Sequence, residues 1–83
     1  MAQVPRTLVV YTRAGCGLCD EMVAELAAWL AGRDLEVELR DVDAADPASR
    51  ERFGLKVPVV AVDGVPVVSG RFDAGVLDEY FPS

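Results

Sequence analysis

Thr7-Leu8-Val9-Val10-Tyr11-Thr12-Arg13-Ala14-Gly15-Cys16-Gly17-Leu18-Cys19 is the stretch on which the fold of this 83-residue chain turns. Thr7 to Tyr11 are β-branched, aliphatic or aromatic with no polar alternation, the pattern of a short strand covered on both faces. Arg13-Ala14-Gly15 marks a turn. From Gly17 the apolar period lengthens: Leu18, Met22, Leu26 and Trp29 or Leu30 recur every three to four residues. Asp20, Glu21 and Glu25 stand off that stripe, which predicts an amphipathic helix stopped at Gly32. The chain's two cysteines, three positions apart, therefore stand where a buried strand becomes a helix.

Working outward, Leu35-Glu36-Val37-Glu38-Leu39-Arg40 alternates apolar with charged residues, a strand with one wet face near a sheet edge that closes at Asp41-Val42-Asp43. Asp46 and Pro47 supply an N-cap and a first-turn proline for a short helix through Phe53, with Gly54 just beyond. Val57 to Val62, Asp63-Gly64, and Val65 to Val68 predict two valine-rich strands joined by a two-residue hairpin turn. Pro66 removes a backbone donor, so the second of these strands belongs at an edge. Asp73 caps a last helix carrying Val76, Leu77, Tyr80 and Phe81 on one side, with Phe72 and Leu77 spaced as a hydrophobic staple. Gly75 weakens that helix by about 1 kcal/mol relative to alanine. The order is β-α-β-α-β-β-α in a single domain, 1–83, without internal repeats or linkers. Its opening strand–helix–strand unit demands a parallel pair, to which the hairpin adds antiparallel strands.

At a helix N-terminus the free N–H groups and the positive end of the dipole favour a thiolate at Cys16, and thiolate is the attacking species in disulfide exchange. Cys19, one turn in and more buried, is placed to attack back and release a mixed disulfide. Gly17 leaves room for a substrate backbone. Asp20 and Glu21 stabilise the helix start yet oppose thiolate formation nearby. A structural bridge is a poor reading, because a link between Cys16 and Cys19 closes almost no loop. Zinc asks for about four ligands, and with no histidine and no third cysteine a metal site would have to be shared between subunits. Trp29, Phe53, Tyr80 and Phe81 are read as core at helical spacing. Tyr11, at the end of the first strand, is read as lining the groove by the cysteines.

Composition bounds the partners. Hydrophobic residues make up 52% of the chain, enough to build a core. The formal charge is −6, from 14 acidic and 8 basic residues. That balance argues against nucleic acid or an anionic membrane as partner. Met1 to Arg6 has no basic region followed by a long apolar run, and no segment reaches the roughly 18 apolar residues of a membrane span. The cytoplasm is the expected compartment and a monomer the expected state, with no bound cofactor and no metal.

Tyr11 to Cys19 resembles the strand-to-helix segment of glutaredoxins, and the element order resembles the whole thioredoxin fold in its minimal form. Cys16-Gly17-Leu18-Cys19-Asp20 is most similar to bacterial glutaredoxin-like proteins with a Cys-x-Leu-Cys-acidic segment. The resemblance implies an α/β, thioredoxin-like fold of the glutaredoxin type, a four-stranded mixed sheet flanked by three helices. It implies a thiol-disulfide oxidoreductase in which Cys16 and Cys19 form a redox-active disulfide, acting on protein disulfides or glutathione mixed disulfides, with glutathione as a co-substrate. By the same likeness Val57-Pro58 corresponds to a cis-proline facing the cysteines, where backbone binds an extended substrate. Gly70 and Asp73 correspond to the loop that holds the γ-glutamyl end of glutathione, although Asp73 also fits an ordinary N-cap. Arg13 stands where a lysine near the glutathione carboxylate is common. Gly17, Leu18 and Lys56 replace the more usual proline, aromatic and threonine. The competing class is a thioredoxin-fold adaptor module, or a dimer holding an iron–sulfur cluster or metal through Cys16.

Overall fold

The computed structural model describes residues 7–33, 35–44, 47–54 and 56–81. Its elements are β1 (Leu8–Thr12), α1 (Gly17–Leu30), β2 (Val37–Asp41), α2 (Pro47–Phe53), β3 (Val59–Val62), β4 (Val65–Ser69) and α3 (Ala74–Tyr80). The expected N-cap of α2, Asp46, lies outside the described residues.

The strands form one mixed sheet in the order β2-β1-β3-β4. β1 runs parallel to β2, with Val10 opposite Leu39, and antiparallel to β3, with Val10 opposite Val60. The unbroken apolar runs of β1 and β3 are explained by this order, since the two central strands are buried on both faces. Asp63 and Gly64 both take positive φ, 51° and 86°, the conformation a two-residue hairpin turn needs to match the twist of its strands. Pro66 sits on the edge strand β4, and the ladder bulges beside it: Val60 faces Val68 while Ala61 faces Pro66.

Side-chain alternation along the central strands feeds two cores. Leu8, Val10, Val60, Val62 and Val68 pack with Met22 and Leu26 of α1 and with Leu77 and Phe81 at the α3 end. Val9, Tyr11, Val59 and Ala61 pack on the opposite face with Val42 and Phe53 of α2. Two expected core positions differ. Leu39 is 57% exposed, because β2 is an outer strand with an open groove between it and α1, and Tyr80 at the last turn of α3 is exposed at the rim. Phe72 and Leu77 meet in the α1–α3 core as a staple across the start of α3.

The topology gathers one end of the sheet. β1 ends at Thr12 and leads into α1, while β3 begins at Val59 opposite Tyr11 and β4 ends at Ser69 opposite Val59. The β1–α1 turn, the approach to β3 and the exit from β4 therefore share an edge.

Candidate functional site

Cys16 is the N-cap of α1. Its backbone is extended (φ −99°, ψ 106°), its Sγ accepts the N–H of Cys19 at 3.0 Å, and its carbonyl accepts the N–H of Asp20 at 3.2 Å. A sulfur thus takes the role that a serine or aspartate oxygen plays at most helix starts, among the orphan N–H groups of the first turn. The two cysteines are joined as a disulfide with Cα atoms 5.2 Å apart. Cys16 is half-buried and Cys19 is 2% exposed, so an incoming thiol meets the first sulfur before the second. A side chain added at Gly17 would meet nothing within 4 Å, which leaves the outer flank of the pair open.

Leu18 begins the apolar stripe of α1, but unlike Met22 and Leu26 it is 52% exposed. It heads a groove of about 300 Å³ lined by Leu18, Glu21, Met22, Glu25, Gly70, Arg71 and Phe72. Gly70 reaches this site from the end of β4 and donates its N–H to the carbonyl of Pro58 at 2.9 Å. The Val57-Pro58 bond is cis. The structure therefore brings Gly17, Leu18, Val57, Pro58 and Gly70 to the end of the sheet that carries Cys16 and Cys19. Asp73 caps α3, its Oδ1 accepting the N–H of Val76 at 3.3 Å.

Tyr11 and Arg13 turn toward α2. Tyr11 is buried with its ring stacked on Phe53, centroids 4.4 Å apart. The Arg13 guanidinium forks onto Asp43, with Nε and Nη2 each donating over 3.0 Å, while Nη1 donates to the carbonyl of Gly54 at 3.0 Å. The hydrogen bonds from Arg13 hold the Asp43 carboxyl below the ordinary aspartate range, and the same contacts push the Arg13 pKa up. Arg13 also borders a second groove of about 490 Å³ between α1 and β2, walled by Cys19, Val23, Ala27 and Leu39 among others.

Residues 7–81 match the family model described as glutaredoxin-like domain (DUF836). The chain belongs to the glutaredoxin-like family. Three mycobacterial relatives, uncharacterized proteins of Mycobacterium bovis and of two Mycobacterium tuberculosis strains, are each 37% identical to this glutaredoxin-like chain over 57 residues. The match takes in 64% of the chain and 59% of the relatives' own length. Among solved structures, protein Ne2328 of Nitrosomonas europaea is 31% identical with a TM-score of 0.73, the alignment covering 96% of both chains. Protein SA0789 of Staphylococcus aureus, at 15% identity, has a TM-score of 0.69 over 93% of this chain and 88% of its own. The holo form of glutaredoxin C1 from poplar (Populus tremula x tremuloides), at 18% identity, has a TM-score of 0.50 over 90% of this chain and 75% of its own. The last two show the fold alone, a thioredoxin-like α/β architecture, as the sequence reading expected.

In this glutaredoxin-like chain the sequence reading missed the partners of Arg13. In sequence Asp43 reads only as the close of a strand and Gly54 only as a helix stop. A Cβ on Gly54 would stand 2.5 Å from the carbonyl oxygen of Arg50 and 3.3 Å from Nη2 of Arg13, so close packing requires glycine there. The acidic wall made by Glu21 and Glu25 was visible as helix spacing, but its neighbours Arg71 and Phe72 come from the far end of the chain.

Proposed function

We propose that this protein is a cytoplasmic thiol-disulfide oxidoreductase that exchanges the Cys16–Cys19 disulfide with substrate thiols and disulfides. The observation that carries the reading is the pair itself: a disulfide at the N-terminus of α1 with one sulfur reachable and the other buried. In the reducing direction the Cys16 thiolate attacks one sulfur of a substrate disulfide, forming a mixed disulfide and expelling the other sulfur as a thiolate that takes a proton from water. The Cys19 thiolate then attacks Sγ of Cys16, closing the intramolecular disulfide and releasing the second substrate thiol. Two electrons leave the protein dithiol and reduce the substrate bond. Glutathione or a dithiol reductase returns the pair to the reduced state.

Helix geometry supports this division of labour. The Cys19 N–H that donates to the Cys16 sulfur, together with the dipole of α1, stabilises negative charge on Cys16. The test is equilibration of the protein in glutathione redox buffers, with alkylation and mass measurement of both cysteines. The pair is expected to pass between dithiol and disulfide within the cytosolic range of potentials. Failure of Cys16 and Cys19 to change state there would sink the proposal. Cys19→Ser should accumulate a mixed disulfide on Cys16, and Cys16→Ser should form none.

A further inference from the structure

Resting on the dithiol exchange proposed above, we infer that the substrate is a polypeptide disulfide whose cysteine is followed within a few residues by a lysine or arginine. That segment seats in the groove between α1 and the β4–α3 connection. The groove begins at Leu18, two residues from Cys16, and reaches Glu25. Seven residues of helix span about 10 Å, the length of about three residues of extended chain. It therefore matches a short peptide segment next to the reacting sulfur. Leu18, Met22 and Phe72 give that segment apolar surface, with Leu18 standing 52% exposed at its head.

Charge selects among peptides. Glu21 and Glu25, four positions apart on one face of α1, are exposed, and among the described residues neither forms an ion pair. Arg71 is the one basic residue lining the groove, against these two carboxylates. Independently, the cation nearest to Cys16 in sequence, Arg13, already carries Asp43 and the Gly54 carbonyl on its guanidinium. Glutathione carries two carboxylates and one ammonium, so it meets a groove of its own net sign on a chain of formal charge −6. A basic peptide meets the opposite sign, which raises its encounter rate and holds it in register.

Three peptides differing only at the second residue after their single cysteine, lysine, glutamine or glutamate, provide the test. Each is presented to the reduced protein as a mixed disulfide with a chromogenic aromatic thiol, and glutathione is presented as the same mixed disulfide. Cys16 attacks the peptide sulfur and expels the coloured thiolate. Cys19 then expels the peptide thiol, so one protein dithiol is oxidised per disulfide reduced, with no other reductant. At low salt the lysine peptide is expected to react about tenfold faster than the glutamate peptide and faster than the glutathione compound. The ratio should shrink as salt screens the exposed carboxylates, approach one in Glu21→Gln/Glu25→Gln, and invert in Glu21→Lys/Glu25→Lys. Equal rates for the lysine and glutamate peptides with the wild-type protein, or a faster glutathione compound, overturn the inference while leaving dithiol exchange intact. No coloured release from any of the four, with Cys16 and Cys19 still reduced, removes the oxidoreductase reading itself. The wild-type ratio and its salt dependence decide the matter even where a variant fails to fold.

Discussion

Arg13 illustrates how one side chain can be claimed by the fold. It leaves the end of β1, three residues before Cys16, and ties the turn carrying the cysteines to the loop after β2 and to the end of α2. Because Asp43 is held below its ordinary value of 3.8, its contribution to stability is present above that value and is lost as pH falls through the depressed folded value. Arg13 stays charged throughout, so the carboxylate alone sets the window. Asp43→Asn is therefore expected to lower the urea midpoint at neutral pH, with the gap to wild type closing as pH is taken down to about 2. A gap that stayed constant across that range would mean that the charge on Asp43 adds nothing to the clamp. Gly54→Ala drives a methyl against the Arg50 carbonyl, which itself accepts the Gly54 N–H at 2.8 Å. The expected cost is about 2 kcal/mol in equilibrium unfolding, and an unchanged midpoint would contradict the close approach.

Among the elements, α3 depends most on what surrounds it. Seven residues are far too few to hold a helix in water alone. Asp73 caps it, Phe72 and Leu77 staple it, and the C-terminal end of α1 grips it: Arg33 donates to Asp78 at 3.2 Å and to the Phe81 carbonyl at 3.1 Å. Arg33 also lies over the Trp29 ring, 4.0 Å from its centroid, while the indole N–H donates to Asp78 at 3.0 Å. Asp73→Ala should cost about 1 kcal/mol, read from thermal or urea unfolding, and should raise hydrogen exchange at the Val76 amide. Arg33→Ala should speed exchange at the amides of Leu77 and Phe81 while leaving β1 and β3 protected. Uniform loss of protection would show instead that α3 and the sheet open as one unit. At the other end of the sheet, β2 presents an edge with Glu38 and Arg40 paired to one another, charged side chains that discourage pairing with a further strand.

For the whole molecule, the disulfide is a minor part of what holds the fold. Closing a loop of so few residues stabilises by at most about 2 kcal/mol, while two apolar cores cover both faces of the sheet. The reduced protein should therefore still melt cooperatively, at most about 15 °C below the oxidised one, when unfolding is followed with and without a dithiol reductant. Collapse of the fold on reduction would make the bond a structural staple and weaken its assignment to exchange chemistry.

The sequence by itself determined the element order and the central place of β1 and β3. It determined the hairpin and the station of Cys16 at a helix start. Those properties follow from periodicity, turn chemistry and capping, which act over a few neighbouring residues. Pro66 placed β4 at an edge for the same local reason, a missing backbone donor. Tertiary structure decided which side chains face which neighbours. Arg13 could be read from sequence as a surface cation; its capture by Asp43 and Gly54 depends on residues about thirty and forty positions away. Tyr11 ends beside the cysteines in sequence but points to the α2 face, since strand alternation and the packing of Phe53 fix its side. Leu18 continues a buried stripe on paper and stands 52% exposed, because an open groove lies between it and the β4–α3 connection. The groove beside Cys16 joins α1 to residues some fifty positions later, and no local pattern encodes that meeting.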